Sequence, residues 1–391
     1  MDLIDESDLI ELTRKLINIP SPVRGIDHGC EEEIAKYLYK RLGDSGFEVH
    51  LQDVAEGRPN VIGILHGAGG GYSLMLNGHL DTIETEGMTI EPYGGEVKDG
   101  RIYGRGASDM KGALAAMVVA CEAAKESNIQ LKGDVIFAGS ADEEGRGSGG
   151  EYLAKSGLKA DMAIVGEPTG LSLGIAHKGL TFIEIKTYGK AAHGSNPNLG
   201  KNAILTMNKI INILDTKYLE RLNGRKHPVL GTPTFNIGLI EGGYRPNVVP
   251  DSCRMLVDRR IVPGEDYTSV LNELNEILDE LRSGDPDAKY QVEAIDWIKC
   301  SPMETPKDAL IVKTVKENLK SISGIEAEIG GLPYWCDAGS ISNIMKIPTL
   351  VFGPGDLEQA HSSTESIDIT KLKIYAKTIL KTIIDICSIE R

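Results

Sequence analysis

Paired cysteines are missing from this chain. The six cysteines (Cys30, Cys121, Cys253, Cys300, Cys336 and Cys387) lie far apart and none belongs to a Cys-x-x-Cys pair. That excludes a zinc ribbon and a disulfide framework, and it leaves reduced thiols in a cytoplasm as the expectation. Long apolar runs are missing too: none approaches the roughly 18 residues that a membrane span needs. The N-terminal stretch Met1-Asp-Leu-Ile-Asp-Glu-Ser-Asp8 lacks the basic start and apolar core of a signal peptide. Positive charge is in deficit, with 42 basic against 57 acidic side chains and a net charge of −15. This argues against nucleic acid or an anionic membrane as partner, and most of the acid excess reads as solvated surface. No internal repeat or low-complexity tract interrupts the sequence. What remains is ample core: 41% hydrophobic and 25% charged residues over 391 positions suit two ordinary globular domains.

The pattern along the chain changes character twice. Ser7 reads as the N-cap of a first helix carrying Leu9, Ile10, Leu12, Leu16 and Ile17, and a second helix runs from near Cys30 to Leu42. Val61–Leu65, Ser73–Leu76, Val135–Ala138 and Met162–Val165 read as strands, and Ala113–Ala124 as a small-residue helix packed on them. This alternation predicts an α/β layered fold with a parallel or mixed sheet. From about residue 180 the order becomes βαββαβ: strands at Leu180–Tyr188, Thr234–Ile240, Cys253–Val257 and Tyr290–Ile298, helices at Asn202–Leu214 and Val270–Leu281. That order suggests a compact α+β insertion. A helix at Ala309–Leu319, a strand at Pro348–Phe352 and a final helix from about Ile369 to Ile386 resume the first pattern. The predicted division is therefore 1–179 with 297–391 as one discontinuous domain, and 180–296 as the other.

Five possible metal ligands stand at the ends of apolar runs in the discontinuous domain: His79, Asp109, Glu144, Glu167 and His361. Borderline cations such as zinc take imidazole nitrogen and carboxylate oxygen, and one shared carboxylate can hold two ions about 3.5–4 Å apart. Each residue alone has a plain structural reading. In His79-Leu-Asp81, residues i and i+2 of a strand share a face, so Asp81 can accept the second imidazole N–H or simply cap the next turn. Asp109 stands in Gly104-Arg-Gly-Ala-Ser-Asp-Met-Lys-Gly112, whose glycines admit backbone to a crowded centre. That segment is not a dinucleotide loop, because Asp109 occupies the third glycine position and would repel a pyrophosphate. Glu143 and Glu144 follow the strand Val135-Ile-Phe-Ala-Gly-Ser140. Buried side by side they would repel, which a cation resolves, leaving one to ligate and the other to face a water as general base. A solvated acidic turn is the alternative.

Taken in order, Gly78-His-Leu-Asp81, the Gly104–Gly112 segment, Asp142-Glu-Glu144, Gly166-Glu-Pro-Thr169, Ala192-His-Gly194, Asn247-Val-Val-Pro250 and Ala360-His361 resemble the motifs of the M20 metallopeptidases. The branch of acetylornithine deacetylase and succinyl-diaminopimelate desuccinylase is the nearest in flavour. The resemblance spans nearly the whole chain. It implies a three-layer, zinc-exopeptidase-like catalytic domain with an inserted ferredoxin-like domain serving as lid and dimer interface. It further implies that His79 and Glu167 hold one ion, Glu144 and His361 the other, that Asp109 bridges, and that Glu143 is the general base. His193 then resembles a transition-state contact lent by the partner subunit, and Asn247 and Arg260 match substrate-contacting positions. Arg260 has a physical case of its own, since a guanidinium binds a carboxylate through two hydrogen bonds. One departure stands out: many relatives carry a Gly-Gly-Thr-type segment before the Asp-Ala pair, where this chain reads Leu332-Pro-Tyr-Trp-Cys-Asp-Ala-Gly339. Tyr334 and Trp335 either reshape the acyl pocket or pack.

The expectation is a cytoplasmic, homodimeric amidohydrolase with two divalent ions, zinc with cobalt as the alternative. It would release an acetyl or succinyl group from an N-acyl amino acid. Asp81, Glu143 and His193 are the candidate catalytic residues. A dipeptidase or carboxypeptidase of the same chemistry is the first alternative, and an inactive binding homologue the second.

Overall fold

The computed structural model describes residues 3–23 and 30–391, with the side chains of 296–299 left aside. It separates into two compact units, one of Met1–Ala176, Met303–Gly331 and Cys336–Arg391, the other of His177–Pro302 with Leu332–Trp335.

The first unit is built on a nine-stranded sheet whose order begins Glu48–Ala55, Arg58–Leu65, Val135–Ser140, Leu74–His79, Met162–Val165 and Thr349–Val351. Its middle is parallel: Leu74–His79 pairs in parallel with Val135–Ser140 and Met162–Val165, and Thr349–Val351 with Met162–Val165. Every residue of Leu74–His79, Val135–Ser140 and Met162–Val165 is buried. Strands covered on both faces read as unbroken apolar runs, which is why these were visible in the sequence. Helix Gly112–Glu126 has almost no polar face: Ala113, Leu114, Ala116, Met117, Val118, Ala120 and Cys121 are all buried. Its small residues let the helix Ile369–Cys387 lie beside it in the same core. The first helix, Glu6–Ile17, starts two residues earlier than read, because the Asp5 carboxylate rather than Ser7 accepts the free amides of Ser7 and Asp8. All six cysteines are free thiols.

The second unit has the sheet order Thr234–Gly242, Ser252–Ile261, Gly179–Tyr188, Lys289–Cys300, antiparallel throughout. Helices Ala203–Ile213 and Tyr267–Gly284 share one core with the inner faces of these strands. This is the βαββαβ arrangement of a ferredoxin-like fold. Thr234–Gly242 lies at one edge and is largely exposed. Among the described residues no helix is long and apolar enough to cross a membrane.

Candidate metal centre

The parallel strands of the first unit deliver the ligand candidates to one edge. His79 ends Leu74–His79, Glu143 and Glu144 stand just beyond Val135–Ser140, and Glu167 stands just beyond Met162–Val165. His361 follows Thr349–Val351, and Asp109 lies in the turn before Gly112–Glu126. Sites in open α/β sheets form at these carboxyl ends.

Asp109 is the centre of the group. Its Oδ1 lies 3.0 Å from His79 Nε2 and its Oδ2 3.3 Å from His361 Nε2. His361 Nε2 is also 2.9 Å from Glu144 Oε1. Asp109 belongs to two triads of donor atoms, with His79 and Glu167 and with Glu144 and His361, each within 4.8 Å of one another. His79, Glu143 and Glu144 make a third such triad. All five predicted ligands and Glu143 are thus brought together. His79, Asp109, Glu143 and Glu167 are buried, Glu144 is half-buried, and His361 is exposed, with 49% of its side chain accessible.

Electrostatics follow from crowding charge into a buried space. Burial, then the charge of Glu167, pushes the Glu143 carboxyl well above the ordinary range. Burial and the Asp109 charge do the same to Glu167. Burial would by itself lower His79, but its bond to Asp109 and the charges of Glu167 and Asp109 carry it well above the ordinary imidazole value. His361 is pushed up to about 10, first by Asp109 and then by Glu144. Asp109, although buried, is held below the carboxylate range by the two imidazoles. Buried carboxylates of like charge that only protons and two imidazoles can offset are the donor chemistry a divalent cation fits.

The turn bearing Glu143 and Glu144 is held by several buried groups. Asp142 sits at φ +60° and pairs with Arg58, while Glu31 Oε1 accepts the Asp142 amide at 3.0 Å. Asp81 serves differently from the expectation. His79 Nδ1 donates to the Asp81 carbonyl oxygen at 2.9 Å, and the Asp81 carboxylate is 3.6 Å from that nitrogen. The carboxylate instead accepts the amides of Glu143 at 3.2 Å and Glu144 at 3.0 Å. The chain turns sharply after the strand, so the backbone carbonyl reaches the ring first and the side chain reaches the neighbouring loop. Gly166 packs closely: a Cβ there would stand 2.7 Å from Met117 Cε, and the methionine would have to give way.

Two residues of this site were not legible beforehand. Asp337 lies buried with Oδ2 on Ser140 Oγ and Oδ1 without a partner among the described residues, and burial raises it to about 6. Its sole sequence signal was the Asp-Ala pair. Glu365, four residues after His361, accepts the amides of Gly106, Ser108 and Asp109. No local pattern connects it to residues some 256 positions away.

The remaining candidates lie in the second unit. His193 is exposed, with Nδ1 2.7 Å from Ser195 Oγ. Its segment is tied to that of Asn247 by a bridge from His193 to Val248 and a bond from Gly194 N to Asn247 O of 2.8 Å. Arg260 is elsewhere, paired through two bonds of 2.9 and 3.1 Å with Asp258. It lies eight residues along an extended strand from Ser252, hence roughly 26 Å from the end nearest Asn247. Arg259 is fully buried against Tyr218 and Glu265 and is a core residue. Trp335 packs against Leu180 and Cys300 within this unit, whereas Cys336 is buried in the first unit beside the charges of Glu167 and Glu143.

Residues 75–385 match the model of peptidase family M20/M25/M40. The chain belongs to that family and is an amidohydrolase. It is 30% identical to the N-formyl-4-amino-5-aminomethyl-2-methylpyrimidine deformylase of Bacillus subtilis, over 98% of this chain and 95% of that one. It is 33% identical to the acetylornithine deacetylase of Proteus mirabilis, over 98% and 97% of the two chains. Among solved structures, the fold matches aminopeptidase PepT from Bacillus cereus with a TM-score of 0.81, at 24% identity and coverage of 98% and 99%. It also matches a dinuclear metal-binding M20 peptidase from Bacillus subtilis, with a TM-score of 0.74, 17% identity and coverage of 98% and 99%.

Proposed function

We propose that this chain is a dinuclear-metal amidohydrolase of the cytoplasm that removes an acyl group from an N-acyl amino acid, working as a homodimer. The observation that carries the reading is Asp109, one carboxylate shared by two triads of donor atoms. His79 and Glu167 would hold one ion, Glu144 and His361 the other, with Asp109 between them, and zinc or cobalt suits that nitrogen and oxygen set. Bound there, two divalent cations supply Lewis acidity toward the scissile carbonyl and toward the attacking water.

The protein's own groups account for the proton traffic. Glu143, whose carboxyl is raised by burial, takes the proton of the attacking water and delivers it to the leaving amine nitrogen. Asp81 holds the amides of Glu143 and Glu144, so base and ligand keep a fixed spacing. His193 donates to the carbonyl oxygen as negative charge develops on it. Because His193 and Asn247 share one end of the second unit and Arg260 lies roughly 26 Å away along the strand, a small substrate cannot touch both ends in one subunit. We therefore assign His193 and Asn247 to the partner's active site and Arg260 to the chain's own. Exposed Leu199, Ile204, Leu205, Leu239, Ile240 and Tyr244 in that unit, beside an open sheet edge, support self-association.

A second reading concerns the substrate. Arg260 is already engaged by Asp258, and the pyrimidine deformylase named above acts on an N-formyl amine whose name contains no carboxylic acid. An N-acyl amine without a carboxylate is therefore the competing class. Hydrolysis of a panel of N-acetyl, N-succinyl and N-formyl amino acids, dipeptides and N-formyl amines decides between them. Turnover of the amines alone would overturn the amino-acid assignment.

A further inference from the structure

Glu365 joins the segment that bears His361 to the one that bears Asp109, 256 positions away in the chain. Its Oε1 accepts the amides of Ser108 at 2.9 Å and Asp109 at 3.0 Å, and its Oε2 accepts the Gly106 amide at 3.0 Å and Arg105 Nη1 at 2.7 Å. The side chain is fully buried, and so is nearly all of Arg105. Arg105 also donates to the carbonyl oxygens of Ser362 and Glu84. The Gly104 amide reaches the Glu365 carbonyl at 3.0 Å, and Ser366–Asp368 pairs as a strand with Arg101–Tyr103. Four donors thus converge on one carboxylate beside the residue shared by both triads. A carboxylate that accepts amides in a dry interior is a strong and directional clamp.

We infer that Glu365 is the positioning residue of the metal centre, fixing the Asp109 carboxylate relative to His361 before any cation arrives. The inference rests on the dinuclear reading of this site. Its physical core is that the four groups bonded to the Glu365 carboxylate are all donors. In Glu365→Gln the single remaining carbonyl oxygen stays with the charged guanidinium, and the new NH2 is set against the amides of Ser108 and Asp109. Shape is kept while the bonds that hold Asp109 are lost.

The test combines metal binding with amide exchange. Stepwise zinc affinities of wild type and Glu365→Gln are measured against a competing chelator. The variant should bind its ions 10- to 100-fold more weakly, the range for loss of a group that orients a ligand. A merely structural role would lower the melting temperature of metal-free protein and leave the affinities unchanged, and that result overturns the inference. Hydrogen exchange on metal-free wild type supplies the second arm and needs no variant to fold. The Ser108 and Asp109 amides should be protected in the absence of metal, and exchange at the rate of an open loop also overturns it. A wild type that binds no zinc at all contradicts the dinuclear reading itself, a separate outcome.

Discussion

The two units handle polar groups in opposite ways. In the first, Asp81, Asp109, Glu143, Glu167 and Asp337 are buried together with more negative charge than the surrounding imidazoles can offset. In the second, His193 is exposed with its ring on Ser195, and Arg260 is satisfied by Asp258. Buried like charges are costly unless a cation joins them, so the first arrangement is incomplete without a ligand of positive charge. The second is self-sufficient and needs a partner or substrate to give it a purpose. The same residue types therefore carry different information according to burial.

Removing groups from the first unit should break function hardest. Glu143→Ala should leave both ions bound and lower kcat by about 100- to 10,000-fold, the range for a general base. Glu144→Ala should instead weaken metal retention, because it removes an oxygen donor of the Asp109–His361 triad. Metal analysis beside kcat separates them, and reversed metal contents would reverse the two roles.

The second unit is probed by subunit mixing. His193→Ala and Glu143→Ala should each be inactive alone, while mixed dimers regain activity, because one of their two sites carries both lesions and the other neither. No recovery despite demonstrated exchange places His193 in its own chain's site. Arg260→Ala should lower kcat/KM by about 10- to 150-fold, the value of a charged hydrogen bond of roughly 1.5–3 kcal/mol. Amidating the substrate carboxylate should cost little more in that variant. If the two losses multiply instead, Arg260 reads something else, and Lys178, whose ammonium donates to the Thr232 carbonyl, becomes the candidate.

The smallest effect is on stability against pH in chelated protein. His361, raised to about 10 by Asp109 and Glu144, stabilises fully below the ordinary imidazole value of 6.5 and loses that contribution as pH climbs toward its folded value. Asp337, raised by burial to about 6 from 3.8, has already lost its own contribution by then. Buried Lys111, lowered by burial to about 7, gains stability as pH rises over the same span, so the comparison is made with His361→Gln, in which that contribution cancels. In chelated protein the melting-temperature advantage of wild type over His361→Gln should fall between about pH 6.5 and about pH 9. A wild type whose advantage over His361→Gln grows with rising pH contradicts the charge assignment.

Much of the first unit was legible because its signals are local. Continuous apolar runs marked Val135–Ser140 and Met162–Val165, and Glu143, Glu144 and Glu167 follow directly on them. What escaped was long-range. Glu365 and Asp337 matter through contacts to residues distant in sequence, and neither carries a distinctive neighbourhood. Asp81 was read by strand periodicity, which holds only while the strand continues; the chain leaves it at His79. The outer strand Glu48–Ala55 was missed although Phe47, Val49 and Leu51 alternate with polar residues, because the alternation stops at Asp53 and most of the strand is exposed. In the second unit, period and order conveyed the βαββαβ arrangement, but Arg259 and Arg260 could be told apart only once burial was visible.

The central claim is that Asp109 is shared by two cations. Zinc reconstitution of the chelated enzyme, with metal content and hydrolysis of its best N-acyl substrate followed together, tests it most directly. Two equivalents per chain should bind, activity should return with them, and Asp109→Ala should lose both. Full turnover by protein holding no metal, or saturation at one equivalent with Asp109→Ala unaffected, contradicts the account.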